Sequence, residues 1–419
     1  MKKSLLFVLT ALLSLVLMAQ EQKEVTTGAN YANEAYYSLE NGTVKTLPRN
    51  NWDIAFVAQI MSVSVLANNG AGVEVFTWPY GTIDDWAQVD SASIDWTAMQ
   101  DSLLYNSLET FDMGALNANT VPGDDVDYGW GQYNTLNHHI TGDSIFVIKT
   151  VSGAYKKLAI IEKAAAENTW RFKYANLDGS GEVIDTLYAN DYIDDYFIHY
   201  SIDSTKYVER EPAKDAWDLL FTRYFDYTIP YYVSGVLSND DHMEVLEVRE
   251  TGMDQAAHNT YDKAAFTPNI SEIGSDWKEF NMGTFTYDLI DTVVYYLKSY
   301  GDSTYYKIYF TGFTGSSDGK YTFMQEKLVS FLSTGDQEAS SLLEVYPNPA
   351  TDRINLVFDY TGVSEINIFD LTGRLVYSRP FDVYGFTNMS LDISSLSPGI
   401  FFLQVRTGNE SNSMRFIKE

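Results

Sequence analysis

The chain has 419 residues, no cysteine, 57 acidic against 28 basic side chains and a formal charge of -29. Such an acidic excess repels phosphate backbones and anionic lipid, so nucleic acid is not an expected partner. The missing thiols exclude disulfides, thiolate nucleophiles, Fe–S clusters and cysteine-based zinc sites, while 45% hydrophobic and 15% aromatic residues allow buried cores and favour β structure.

Residues 1–20 read as a signal peptide. Lys2 and Lys3 supply positive charge, Leu5 to Leu17 is an apolar run, and Met18-Ala19-Gln20 ends it with a small residue. The run is shorter than the ~20 residues of a membrane span. No cysteine follows it, so lipid attachment there is not expected, and the mature protein is predicted to be exported and soluble.

The stretch that follows matches itself in order. Tyr37-Ser38-Leu39 pairs with Tyr200-Ser201-Ile202, and Trp52-Asp53-Ile54-Ala55-Phe56 with Trp217-Asp218-Leu219-Leu220-Phe221. Val63 to Asn68 pairs with Val233 to Asn239, Asp95-Trp96 with Asp276-Trp277, Asp143 to Lys149 with Asp291 to Lys298, and Tyr155 to Ile160 with Tyr305 to Phe310. A preserved order of matches points to duplication, with one β domain over 21–190 and a second over 191–330. The matched stretches alternate or run apolar for four to eight residues between Gly, Asn, Asp or Ser, as strands do. Only Thr97 to Tyr105 and Ala159 to Glu167 have a helical pattern, and the second competes with a strand. Trp-Asp-x-x-Phe is expected to staple a core, its Asp accepting backbone N–H bonds in an adjacent turn.

The first copy, with NWDIAF, SVSVLANNGAG, YGWGQYNTLNHHI, DSIFVIKTVSGAYKKLAII and WRFKYANLDGSG over about residues 36–181, resembles the HmuY family of Bacteroidota haem-binding proteins. WDLLF, VSGVLSN and YYLKSYGDSTYYKIYF of the second copy resemble it more distantly. The resemblance implies an all-β fold of two related antiparallel domains, and haem held between two axial side chains on projecting loops.

Without thiolate, a haem site would draw on His or Met. His138 and His139 stand ahead of the IFVIKT strand, where the family can place a ligand, and adjacent residues on an extended chain face opposite ways. Nothing between Met1 and Asn137 is histidine, so Met99 and Met113 are the upstream substitutes. His242, and His258 after Met253, are the candidates of the second copy. A solvated loop histidine is the plain alternative for each, and His199 reads as a packed aromatic neighbour. Oxygen ligands for Ca²⁺ gather at Asp124 to Asp127, Asn176 to Glu182 and Asp191 to Asp195, although no stretch fits an EF-hand loop. No nucleophile-elbow, zincin, Walker or dinucleotide motif is present, so catalysis is not expected.

Residues 331–342 are small and polar and read as a linker. From 343 to 419 short apolar strands alternate with turns such as Asp370-Leu371-Thr372-Gly373-Arg374, a small antiparallel sandwich by pattern. VYPNPATD, INIFDLTGRLV, LSPGIFFLQV and MRFIKE resemble the type A sorting domain of the Bacteroidota type IX secretion system. That resemblance implies the type IX machinery as a partner and release, or attachment at the outer-membrane surface. The combined expectation is a non-enzymatic secreted or cell-surface protein that binds haem or a related porphyrin, with a host haemoprotein as a further partner. A structural or adhesive surface protein without haem is the alternative, and a carbohydrate-active enzyme a third.

Overall fold

The computed structural model describes residues 20–60, 62–258, 261–262, 264–300, 304–328, 343–371, 373–407 and 410–419. The expected linker, and all of the expected signal peptide but its last residue, lie outside them. The chain divides into two units, Met1–Val329 and Ser330–Glu419.

The first unit opens with β1 (Glu21–Thr26), β2 (Asn33–Ser38) and β3 (Gly42–Pro48). Next come β4 (Ile54–Val57), β5 (Val65–Ala67), β6 (Glu74–Thr77), α1 (Trp96–Gln100), β7 (Gly131–Tyr133), β8 (Ile140–Gly142) and β9 (Phe146–Lys149). β10 (Tyr155–Ala164), β11 (Thr169–Asn176), β12 (Val183–Tyr188), β13 (Phe197–Ser201) and β14 (Lys206–Val208) follow. The remainder is β15 (Leu219–Asp226), β16 (Tyr231–Ser238), β17 (Met243–Arg249), β18 (Lys278–Asn281), β19 (Thr286–Leu289), β20 (Val293–Ser299), β21 (Tyr305–Phe313) and β22 (Lys320–Leu328). The expected all-β character is present throughout.

Two lobes emerge. In lobe A a four-stranded sheet, β14-β13-β4-β5, faces a seven-stranded sheet built on β12-β11-β10-β9-β6 with β7 and β8, and Phe56, Trp130, Phe146, Ile160, Trp170 and Ile198 fill the space between. In lobe B the sheets are β16-β15-β2-β3 and β1-β22-β21-β20-β17, closed over Tyr37, Phe221, Trp277, Tyr295, Ile308 and Phe323. The two four-stranded sheets meet through Tyr36, Ala55, Val57, Phe197, Trp217 and Leu220. Buried on both faces, β4 and β13 carry no polar alternation: every residue of each is buried.

The expected boundary between residues 190 and 191 does not part these sheets. β13 lies beyond it yet pairs with β4, His199 opposite Ala55. β1 and β2 lie before it yet pair with β22 and β15, Val25 opposite Tyr321 and Tyr37 opposite Leu219. Each Tyr-Ser-apolar strand completes the sheet of the other half, and the Trp-Asp aspartates fix the exchange. Asp53 accepts from the backbone N–H of Ile202 at 2.7 Å and of Val151 at 2.8 Å. Asp218 accepts from Leu39 at 2.6 Å. The carboxylates do accept backbone N–H bonds, but from strands far along the chain.

The helical pattern at Thr97 to Tyr105 yields only α1. Asp95 caps it, accepting from Thr97 and Ala98 at 3.0 Å each, and the chain then bends back so that Leu104 donates to Val75 at 2.8 Å. Ala159 to Ala164 are strand, because β10 buries Leu158 to Ile160 while pairing with β11.

The second unit holds β23 (Leu343–Tyr346), β24 (Arg353–Asp370), β25 (Leu375–Asp392), β26 (Gly399–Thr407) and β27 (Glu410–Lys418) in one antiparallel sheet. The predicted turn after β24 is tied by Asp370, which accepts from the Arg374 backbone at 3.1 Å and its side chain at 2.9 Å, while Gly373 supplies the positive φ. Ile354, Leu356, Ile366, Ile368, Leu403 and Phe416 form its core.

Candidate functional site

The candidate haem ligands are each engaged locally. His138 is exposed, holds a positive φ of 62°, and its Nδ1 lies 2.6 Å from the Tyr133 hydroxyl. His139 Nδ1 faces Glu162 at 3.3 Å. His242 Nε2 faces Asp218 at 3.0 Å, and His258 Nδ1 meets the Tyr296 hydroxyl at 2.8 Å. Met99 is buried beside Trp78 and Ile94, and Met253 packs on Leu246 and Tyr296. Met113 is 40% exposed. Met99 and Met113 line separate hollows, neither of which includes a candidate histidine. His199 is buried edge-on to Trp52, ring centroids 4.8 Å apart, and burial pushes its pKa well below the ordinary value.

Among the described residues no three His, Asp or Glu side chains gather as metal ligands. The acidic clusters cap turns instead: Asp127 accepts from Val121 at 2.7 Å and Gly129 at 2.8 Å, and Asp178 accepts from Ser180 at 2.9 Å.

A cleft of about 750 Å³ opens in lobe B. One wall is the β15–β16 hairpin, whose turn exposes Tyr227 (45%), Ile229 (58%) and Tyr231 (67%). The other is the β18–β19 hairpin, exposing Phe280 (44%), Met282 (73%) and Phe285 (75%). Residues 271–276 form the floor, held to β16 by reciprocal bonds of 3.0 and 3.1 Å between Val236 and Gly274. That approach requires glycine at 235, since a Cβ there would stand 2.4 Å from the Gly274 carbonyl oxygen.

Polar groups converge on this space. Lys278 donates to the carbonyls of Ser234 at 2.6 Å and Ser275 at 3.2 Å, and its ammonium lies 4.1 Å from the Trp277 ring centroid. Burial pushes its pKa down to about 7, against the opposing charge of Asp276. Burial also raises the carboxyls of Glu272 and Asp276 from their ordinary values, and the neighbouring Glu247 charge adds to both. Arg249 bridges the pair below, bonding Glu247 and reaching Asp276 at 2.6 Å. Hydroxyls of Tyr31, Thr228, Tyr231, Tyr232 and Ser271 complete the lining. Volume, apolar walls and a few converging polar groups are the features of a small-ligand site. A second, smaller hollow beside His199, Trp52 and Arg223 is about 90 Å³, room for a few waters.

Residues 344–419 match the family model of the secretion system C-terminal sorting domain. The chain therefore carries a type IX sorting tail on a β-rich body, which makes it a secreted or cell-surface protein that engages the type IX machinery. The comparison with curated proteins gives no match. Among solved structures, dimeric latent PorU from Porphyromonas gingivalis is similar at 10% identity and a TM-score of 0.18. That alignment covers 95% of this chain and 34% of PorU, so this chain spans about a third of the PorU chain.

Proposed function

We propose that the protein is a non-enzymatic ligand-binding protein of the cell surface or secretome, with two HmuY-like copies forming its lobes. The lobe B cleft carries this reading, because it joins exposed aromatic walls to a floor of fixed polar groups. Duplication is supported by the equivalent sheet orders and by Asp53 and Asp218 performing one task in two places. Hydrogen exchange of the exported chain against a panel of glycans, peptides and haemin tests the binding reading. Protection of residues 226–234 and 271–287 by one ligand class is expected; no protection by any would sink it.

Haem is a second reading, favoured by one observation at His138. The Tyr133 hydroxyl on Nδ1 holds one nitrogen of an exposed imidazole, as a partner on the second ring nitrogen orients a metal-ligating histidine. Haemin should then give a Soret shift that weakens in His138→Ala. An unshifted spectrum in both redox states would end that reading without touching the cleft.

A further inference from the structure

We propose that the lobe B cleft binds a neutral oligosaccharide, with sugar rings against Tyr231, Phe280 and Tyr287 and sugar hydroxyls on Glu272, Asp276 and Lys278. The inference rests on the cleft being the ligand site and names its ligand class.

The walls suit a pyranose. A sugar ring presents faces of polarised C–H groups that pack on aromatic faces, and a rim of hydroxyls that each donate and accept. Phe280 and Tyr287 stand 5.2 Å apart at 62°, so the two rings meet an incoming ligand at different angles. Tyr287 is in turn fixed edge-on to Phe313 at 4.9 Å. Tyr231 faces solvent on the opposite hairpin. Aromatics so exposed on a chain that can bury its others are typical of a binding surface.

The floor suits hydroxyls better than charge. Its carboxylates, Asp226, Glu247, Glu272 and Asp276, outnumber its cations, Arg223 and Lys278. The Lys278 ammonium is already committed to two carbonyls, and Arg223 lies over the Tyr232 ring at 4.9 Å. Even with Arg249 bridging Glu247 and Asp276, carboxylates exceed cations around the cleft, which disfavours phosphorylated, sulfated or sialylated compounds. Glu272 accepts from the Glu247 backbone at 3.4 Å, and an ionised carboxylate has acceptor sites for several donors.

The test is a glycan array of neutral and acidic glycans probed with the exported chain, followed by calorimetric titration of the tightest neutral glycan. Tyr231→Ala and Phe280→Ala should each weaken binding about tenfold, the worth of one aromatic contact. Both side chains are exposed, so the fold survives their loss. Glu272→Gln should weaken binding, and Ile193→Ser, on an exposed site of lobe A, should leave it unchanged. No neutral glycan bound at millimolar concentration, or binding by both aromatic variants as tight as that of the unaltered chain, would overturn the inference. If a peptide or haemin protects the cleft from exchange while glycans do not, the ligand class is wrong and the binding reading stands. If nothing protects it, both fail. Release of reducing ends during the titration would replace binding with hydrolysis and overturn the non-enzymatic reading.

Discussion

Lobe A and lobe B run on one plan and diverge where the plan leaves room. Asn68 and Asn239 make the same bonds, each amide donating to the carbonyl of the nearby tryptophan, Trp52 at 2.9 Å and Trp217 at 3.0 Å. Asp53 and Asp218 each receive a strand from the other half, and His199 stands where lobe B has Tyr36, each ring edge-on to its tryptophan. Between β6 and β9, however, lobe A inserts a segment that buries Trp78, Val89, Ile94 and Met99 against the outer face of its sheet. Between β17 and β20, lobe B spends its insertion on the β18–β19 hairpin and the cleft floor. A β frame held by backbone bonds tolerates either, and the insertion decides whether a surface becomes core or site.

The comparison can be broken most severely where the lobes join. Glu34 of β2 pairs with Arg210 beyond β14, with side chains 5% and 0% exposed, and Thr222 donates to Glu34 at 3.1 Å. Glu34→Ala leaves the guanidinium buried and unpaired, and urea denaturation should show a loss of about 3–5 kcal/mol. The aspartates come next. Asp53 is 1% exposed and answers three backbone donors, whereas Asp218 answers one and shares its other oxygen with His242. Asp53→Ala should therefore cost about 3 kcal/mol and Asp218→Ala about 1 kcal/mol, and equal losses would mean that the two lobes are not held alike.

A smaller effect separates the lobes by pH. Lys278 releases its proton near pH 7 in the folded protein and near 10.4 when unfolded. Between these values the unfolded chain binds more protons, so stability rises with pH, by up to about 1 kcal/mol per unit. The gain is full above the unfolded value and is lost as pH falls through 7. Denaturation midpoints of Lys278→Met at pH 7 and pH 9 should lack this slope; an unchanged slope would place the proton elsewhere. Smallest of all, Tyr231→Ala should shift stability by no more than about 0.5 kcal/mol while weakening glycan binding, which would mark this surface of lobe B as a site rather than as support for the fold.

The sequence disclosed the strands well and their partners poorly. WDIAF, IFVIK and YYKIYF are short, mostly apolar, β-branched or aromatic runs of strand length, and the DLTGR turn names its own geometry. Pairing of β13 with β4, and of β1 with β22, is long-range and depends on which half supplies the missing strand; periodicity says nothing about that. The histidines were visible as residues but not as partners, since Tyr133, Glu162, Asp218 and Tyr296 reach them from other segments. The cleft is not legible in the sequence, because Tyr231 or Phe280 has no pattern distinguishing it from the many core aromatics.

The pairing of β1 with β22 has a consequence for the order in which the molecule matures. Glu21 lies opposite Gln325 and Thr26 opposite Lys320, so the first strand of the body is fastened to β22. Lobe A is contiguous from β4 to β14 and can fold as soon as that stretch is free. Lobe B has to hold β1 to β3 in waiting until residue 328 has emerged, an interval in which bare strand edges invite wrong partners. Closure across nearly the whole body brings together strands about 300 residues apart, a long-range pairing of the kind that slows folding. Lobe B is therefore the part of the body whose completion depends on its two ends meeting.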